Sequence, residues 1–149
     1  MRMSSVGKLF GGIFNGESMI SPCMQCVADY LDALAWVEML WCVQATFARC
    51  NANLQVVADF VAANDWIDFL AQDPATRSNT SVCLSLKLQA EQVKQVAKLL
   101  ESEGVAYDIG AYKDAPAGIR IWCGATVETA DLQALMPWLH WAYHTVKAA

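Results

Sequence analysis

The sequence predicts an α+β protein: a small antiparallel or mixed β-sheet with helices packed on one face, preceded by a long amphipathic helix. Three observations predict it. In SVCLSLKL, Val82, Leu84, Leu86 and Leu88 alternate with Ser81, Cys83, Ser85 and Lys87, the pattern of a half-buried strand. From 90 to 103, Val93, Val96, Ala97 and Leu100 recur at helical spacing and the run stops at Gly104. Val27, Tyr30, Leu31, Leu34, Val37 and Leu40 recur in the same way much earlier, with Asp29 and Asp32 elsewhere around the wheel.

The remaining elements follow in chain order. Residues 1 to 22 are rich in Gly and Ser and read as an extended segment with a short strand around 9 to 14. Ser21 and Pro22 suit the N-cap and first position of a helix running from about 24 to 48. A second helix is expected over 54 to 63, capped by Asn51 or Asn53, before a loop marked by Asp65 and Asp73-Pro74. After the strand at 81 to 88 and the helix at 90 to 103, two short strands are expected at 106 to 112 and 118 to 124. KDAPA joins them. Thr129 then caps a last helix bearing Leu132, Leu135, Met136 and Leu139, which Pro137 is expected to kink.

Composition narrows the function. The chain has 149 residues, enough for one core, yet 56% are hydrophobic and six are tryptophan. The surplus apolar surface calls for an oligomer interface or a further part of the same fold. A membrane is not the explanation, because the most apolar run, 33 to 43, is about half a spanning length and contains Glu38. The N-terminus shows no convincing signal-peptide cleavage site. A net charge of −5 supplies no basic stripe for nucleic acid. Cysteines 23, 26, 42, 50, 83 and 123 sit in apolar contexts and read as the buried thiols of a reducing, cytoplasmic compartment.

Few residues offer chemistry. Cys23 and Cys26 form a CxxC at a helix start, open to reading as a redox couple or as two ordinary helix-start residues. No second CxxC or CxxH completes a zinc site, and His140 and His144, one turn apart, lack an HExxH context. Ser5 to Lys8 form an SxxK without its companion motifs. In GIRIWCG, Ile119, Ile121 and Cys123 take one face of a strand and Arg120 and Trp122 the other. A guanidinium there suits bidentate capture of a carboxylate or phosphate, or equally a structural ion pair.

The stretches VADYLDALAWVE (27 to 38), RSNTSVCL (77 to 84) and EGVAYDIGAYKDAPAGIRIWCGATVETADLQAL (103 to 135) closely resemble the C-terminal part of phosphoserine aminotransferase. That family is of the class V, fold-type I kind. It uses pyridoxal 5′-phosphate to exchange an amino group between O-phosphoserine and 2-oxoglutarate in serine biosynthesis.

The resemblance implies that residues 1 to 22 belong to the large domain, 23 to 76 to a helical connecting region and 77 to 149 to the small domain. The family's Schiff-base lysine, cofactor-stacking aromatic and pyridine-nitrogen aspartate lie upstream of the matching stretch. Lys8 aligns after that lysine and does not take its role. The chain alone is thus expected to hold no catalytic residue, no metal and no cofactor. Arg120 takes the place of the arginine that binds the substrate α-carboxylate. Lys113 falls near the basic pair that recognises the substrate's phosphate or side-chain carboxylate. Ser21 lies in the segment that reaches the cofactor phosphate of a neighbouring subunit, with Ile20 in place of an asparagine donor. Cys23 and Cys26 then become helix-start residues beside that phosphate.

Trp41 and Cys42 replace a helix-breaking Gly-Gly pair, so the helix is expected to be longer and straighter. The expected partners are a second copy or an N-terminal aminotransferase half, and a small dicarboxylate or phosphoamino acid. The chain then reads as a truncated gene product or one piece of a split enzyme. The rival reading is a non-catalytic α+β binding or dimerisation module that retains the Arg120 anion site.

Overall fold

A computed structural model describes residues 4–5, 8–9, 11–16, 23–40 and 42–148. They divide into two units, Met1–Cys42 and Val43–Ala149.

In the first unit, strands β1 (Ser4–Ser5) and β2 (Lys8–Leu9) pair antiparallel, Ser4 opposite Leu9 and Ser5 opposite Lys8. The strand expected over 9 to 14 is mostly a 3₁₀ turn, Gly11–Asn15, closed by Gly16 at φ 83. Helix α1 spans Met24–Met39 with Cys23 as its N-cap. The expected cap, Ser21, and Pro22 lie outside the described residues. The helix does not continue to 48. It ends at Leu40, and α2 (Cys42–Ala62) begins at Cys42 with φ 67. The break forms without a glycine: Cys42 takes the left-handed conformation, at a cost of roughly 1–2 kcal/mol. Trp41 lies outside the described residues.

In the second unit, α2 runs through Asn51 and Asn53 without restarting. Asn53 is no cap. It is fully buried, its amide donates towards the carbonyls of Cys123, Gly124 and Val127, and its oxygen accepts from the Thr129 hydroxyl at 2.8 Å. Helix capping and core bonding need the same short amide, and here the core takes it.

Strands β3 (Ile67–Phe69), β4 (Ser81–Leu86) and β5 (Ile119–Trp122) form an antiparallel sheet in that order. The sequence reading missed β3, whose three residues are too few to show alternation. The strand expected over 106 to 112 is not formed; Gly110 makes a single bridge to Ile119. Gly118 is required at the entry to β5, because a Cβ there would lie 2.3 Å from the Leu84 carbonyl oxygen.

Helix α3 (Ala90–Ser102) starts with a capping box between Gln89 and Gln92 and stops at Gly104, φ 69. Helix α4 (Thr129–Ala148) continues past Pro137. Val93, Val96 and Leu100 of α3, Leu132, Met136, Leu139 and Tyr143 of α4, and Val82, Leu84, Ile119 and Ile121 of the sheet share one core. Thus α3 and α4 cover one face and leave the other for β5's polar residue.

No helix among the described residues is long and apolar enough to cross a membrane.

Candidate functional site

The alternation of β5 works as its residue types dictate. Ile119, Ile121 and Cys123 are buried, Trp122 is exposed, and Arg120 stands on the opposite face across from Cys83 of β4. The Arg120 main-chain N–H donates to Ile109 O at 2.8 Å, which anchors the 106–118 loop beside the strand.

That loop supplies the surroundings of the guanidinium. Asp108 adopts φ 51, a left-handed conformation that aspartate tolerates better than most residues. Arg120 Nη2 donates to its side-chain Oδ2 at 2.7 Å and to its carbonyl at 3.1 Å. The guanidinium also lies 4.5 Å from the centre of the Tyr112 ring, whose hydroxyl is 2.9 Å from Ser81 Oγ. Contact with Tyr112 first, and the Asp108 carboxylate with it, hold Arg120 charged more firmly than an ordinary arginine despite partial desolvation.

Arg120 differs from the other arginines of this unit. Arg49 is tied to Ala125 O and to Glu128, and Arg77 to the carbonyls of Ala71 and Gln72 over the Phe69 ring. Each makes a backbone hydrogen bond through Nε, whereas the backbone bond of Arg120, to Asp108 O, comes from Nη2. Arg120's one charged partner is a side chain 91% exposed, while its own is 22% exposed. An ion pair with a solvated partner is weak and easily exchanged. The Asp108 carboxylate therefore occupies a position that an incoming carboxylate could take over.

Lys113 is exposed and lines a cleft of about 760 Å³ between α3 and the 106–118 loop, with Lys94, Lys98, Asp108 and Tyr112. Arg120 does not line it. Asp108 and Tyr112, which touch Arg120 and border the cleft, are the elements common to both. Ser21 lies outside the described residues. Sequence reasoning missed Tyr112, because no spacing rule links a loop aromatic to a strand arginine; a structural ion pair for Arg120 was foreseen without its partner, Asp108.

His140 and His144 have ring centroids 4.3 Å apart and both rings lie against Trp66. The pair packs as aromatics, each ring edge-on to Trp66.

The chain is 49% identical over 146 residues to the phosphoserine aminotransferase of Methanosarcina barkeri and 47% identical to that of Methanosarcina mazei. The matches cover 98% of this chain and 40% of each relative. The chain belongs to the phosphoserine aminotransferase family. It spans about two fifths of the length of these relatives. No family model matches it.

The fold agrees at much lower identity. The phosphoserine aminotransferase of Bacillus circulans subsp. alkalophilus superposes with a TM-score of 0.79 at 16% identity, covering 90% of this chain and 36% of that one. A phosphoserine aminotransferase structure from a study of radiation damage to its Schiff base superposes at 0.78, also at 16% identity and over 90% of this chain and 37% of that one. This family member therefore carries the C-terminal α+β part of the aminotransferase fold.

Proposed function

We propose that this chain supplies the substrate-carboxylate receptor of a phosphoserine aminotransferase, the activity that moves an amino group between O-phosphoserine and 2-oxoglutarate. Arg120 carries this reading. Its charged partner, Asp108, is 91% exposed, more than the 66% of Glu128 beside Arg49. A substrate carboxylate would displace Asp108 and receive the guanidinium's parallel N–H groups. Tyr112, fixed through Ser81, would hold the guanidinium plane in place.

Lys113 would reach the phosphate or second carboxylate at the far end of the substrate, and Ser21 the cofactor phosphate. The partner is a second copy or an N-terminal aminotransferase half, and the compartment is the cytoplasm, in keeping with six free cysteines.

The family's cofactor, pyridoxal 5′-phosphate, supplies the electron sink of transamination. The five lysines from Lys87 to Lys147 do not fit it. A Schiff-base lysine needs a desolvated site to lose its proton. Lys87, Lys94, Lys98, Lys113 and Lys147 are all exposed, Lys94 is paired with Glu91, and Lys87 donates to Asp65 O. None of these five lysines offers that site.

The second reading, a non-catalytic scaffold, draws on the Arg120–Asp108 pair itself. Titrating the isotope-labelled chain with glutamate, 2-oxoglutarate or phosphoserine separates the two. The receptor reading expects shifts at Arg120, Asp108 and Tyr112 with a Kd on the order of millimolar, since one charge-assisted contact gives no more. Arg120→Lys should diminish them, because an ammonium lacks the fork. Asp108→Asn should strengthen binding by removing the competitor. No response in wild type and Asp108→Asn alike leaves the scaffold.

A further inference from the structure

His140 and His144 take no part in the carboxylate receptor, and their arrangement suits a different task. Both are exposed, and they stand four residues apart on α4, so one turn of helix places their side chains on the same face. Their ring centroids are 4.3 Å apart and the ring planes are tilted by 47°. Planes tilted in this way meet along a line, so in-plane lone pairs of the two rings can converge on one ion. Face-to-face stacking would leave those lone pairs parallel.

The surroundings hold the rings in place. Trp66 is buried, stacks on Tyr143 at 4.0 Å and donates its indole N–H to Asn64 Oδ1 at 3.1 Å. Both imidazoles pack edge-on against this fixed indole, His140 at 6.2 Å and His144 at 6.3 Å between ring centres. The Tyr143 ring adds an edge contact to His144 at 5.2 Å. Aromatic packing limits the rotamers of a ring without consuming the lone pair that a neutral imidazole offers. Ligands positioned beforehand lose less freedom when they bind.

The ring separation points to a coordination geometry. A metal ion about 2.1 Å from an imidazole nitrogen lies roughly 3.2 Å from the centre of that ring. Two ring centres 4.3 Å apart then subtend about 85° at the ion. That is a cis pair for a square-planar or octahedral ion, narrower than the tetrahedral angle that zinc prefers. Among the described residues no third His, Cys, Asp or Glu joins the pair, so water fills the remaining positions. Lys147, the next basic residue along α4, holds its ammonium over the Tyr143 ring at 5.4 Å.

We propose that His140 and His144 form an exchangeable bidentate site for a divalent late transition ion of the nickel(II) or copper(II) kind. With two protein ligands and water for the rest, the ion is held reversibly at the surface. The site is independent of the Arg120 reading, with which it shares no residue.

The test is a nickel(II) titration of the isotope-labelled full chain near neutral pH, read by calorimetry and by the side-chain resonances of His140, His144 and Trp66. Nickel(II) is the probe because copper(II) would also oxidise the exposed thiols. The imidazole signals and the Trp66 indole N–H should broaden together, and saturably, at sub-millimolar nickel. His140→Gln and His144→Gln should each lower the affinity at least about tenfold, because a single imidazole loses the second, intramolecular contact. Replacing Cys23 and Cys26 together by serine should leave the Trp66 response unchanged, which separates this site from metal held by those thiols. An unresponsive Trp66 in the wild type overturns the proposal. So does an affinity unaltered in either histidine variant, or a Trp66 response that disappears with the cysteines.

Discussion

Helices α1 and α4 differ in what they bury more than in what they are made of. Both carry a stripe of large apolar side chains: Met24, Val27, Tyr30, Leu31 and Leu34 in α1, and Leu132, Met136, Leu139, Tyr143 and Val146 in α4. Every residue of the second stripe is buried, and α1 has no buried residue at all. The difference teaches that an amphipathic stripe creates a demand for a partner and does not satisfy it. The α4 stripe is met by the sheet and by Val93, Val96 and Leu100 of α3. Leu31 and Leu139 are the same residue on equivalent helix faces, and only Leu139 has its apolar area removed from water.

The largest expected effect follows directly. Leu139→Ala should cost about 2–5 kcal/mol in urea unfolding, from lost transfer energy and the cavity left behind. Leu31→Ala should stay within roughly 0.5 kcal/mol. Comparable losses at the two positions would break the comparison, because α1 would then have a packing partner in solution.

Next comes Asn53, the one buried polar or charged residue among the described residues. Asn53→Leu should cost about 2–3 kcal/mol, because carbonyls near Cys123 to Val127 and the Thr129 hydroxyl lose a buried partner. The same substitution at the exposed Asn51 should change little, and finding otherwise would move the core boundary along α2.

The cysteines sharpen the comparison through pH. Unfolded Cys123 ionises around 9.0, while the folded thiol keeps its proton until about 11. Across that window the native state binds more protons than the unfolded state. Its contribution to stability is therefore complete below pH 9 and is lost as pH rises towards 11. Unfolding curves of wild type and Cys123→Ala should converge over this range, and curves that stay parallel would remove the buried thiol from the account.

The smallest effect belongs to the junction after α1. Cys42→Gly should gain up to about 1 kcal/mol, since glycine takes φ 67 without the side-chain penalty but adds entropy to the unfolded chain. A loss of stability there would mean that the Cys42 side chain makes a contact that offsets the strain.

Parts of this architecture were legible before any coordinates. The alternation of β4, the Val93, Val96 and Leu100 face of α3 with its stop at Gly104, and the two faces of β5 all emerged as read. They share a cause: each is a periodicity that backbone geometry imposes locally. The failures share the opposite one. Asn53 has a cap's chemistry but is claimed by carbonyls some 70 residues away. Strand β3 exists because β4 pairs with it, not because three residues prefer extension. The 106–112 segment alternates weakly, and Asp108 at positive φ turns the chain so that only Gly110 bridges the sheet.

For the candidate site the division is the same. By itself the sequence determined which side chains share a face, and so put Arg120 away from the helices and Cys23 one turn from Cys26. Those relations need only the 3.6-residue and two-residue periods. Tertiary structure alone decided which faces found partners, leaving α1 open while α4 closed over the sheet. It also decided that Arg120 would meet Asp108 and Tyr112. Burial and ion pairing depend on where distant segments meet, and that is settled by the sum of many weak contacts that no local window contains.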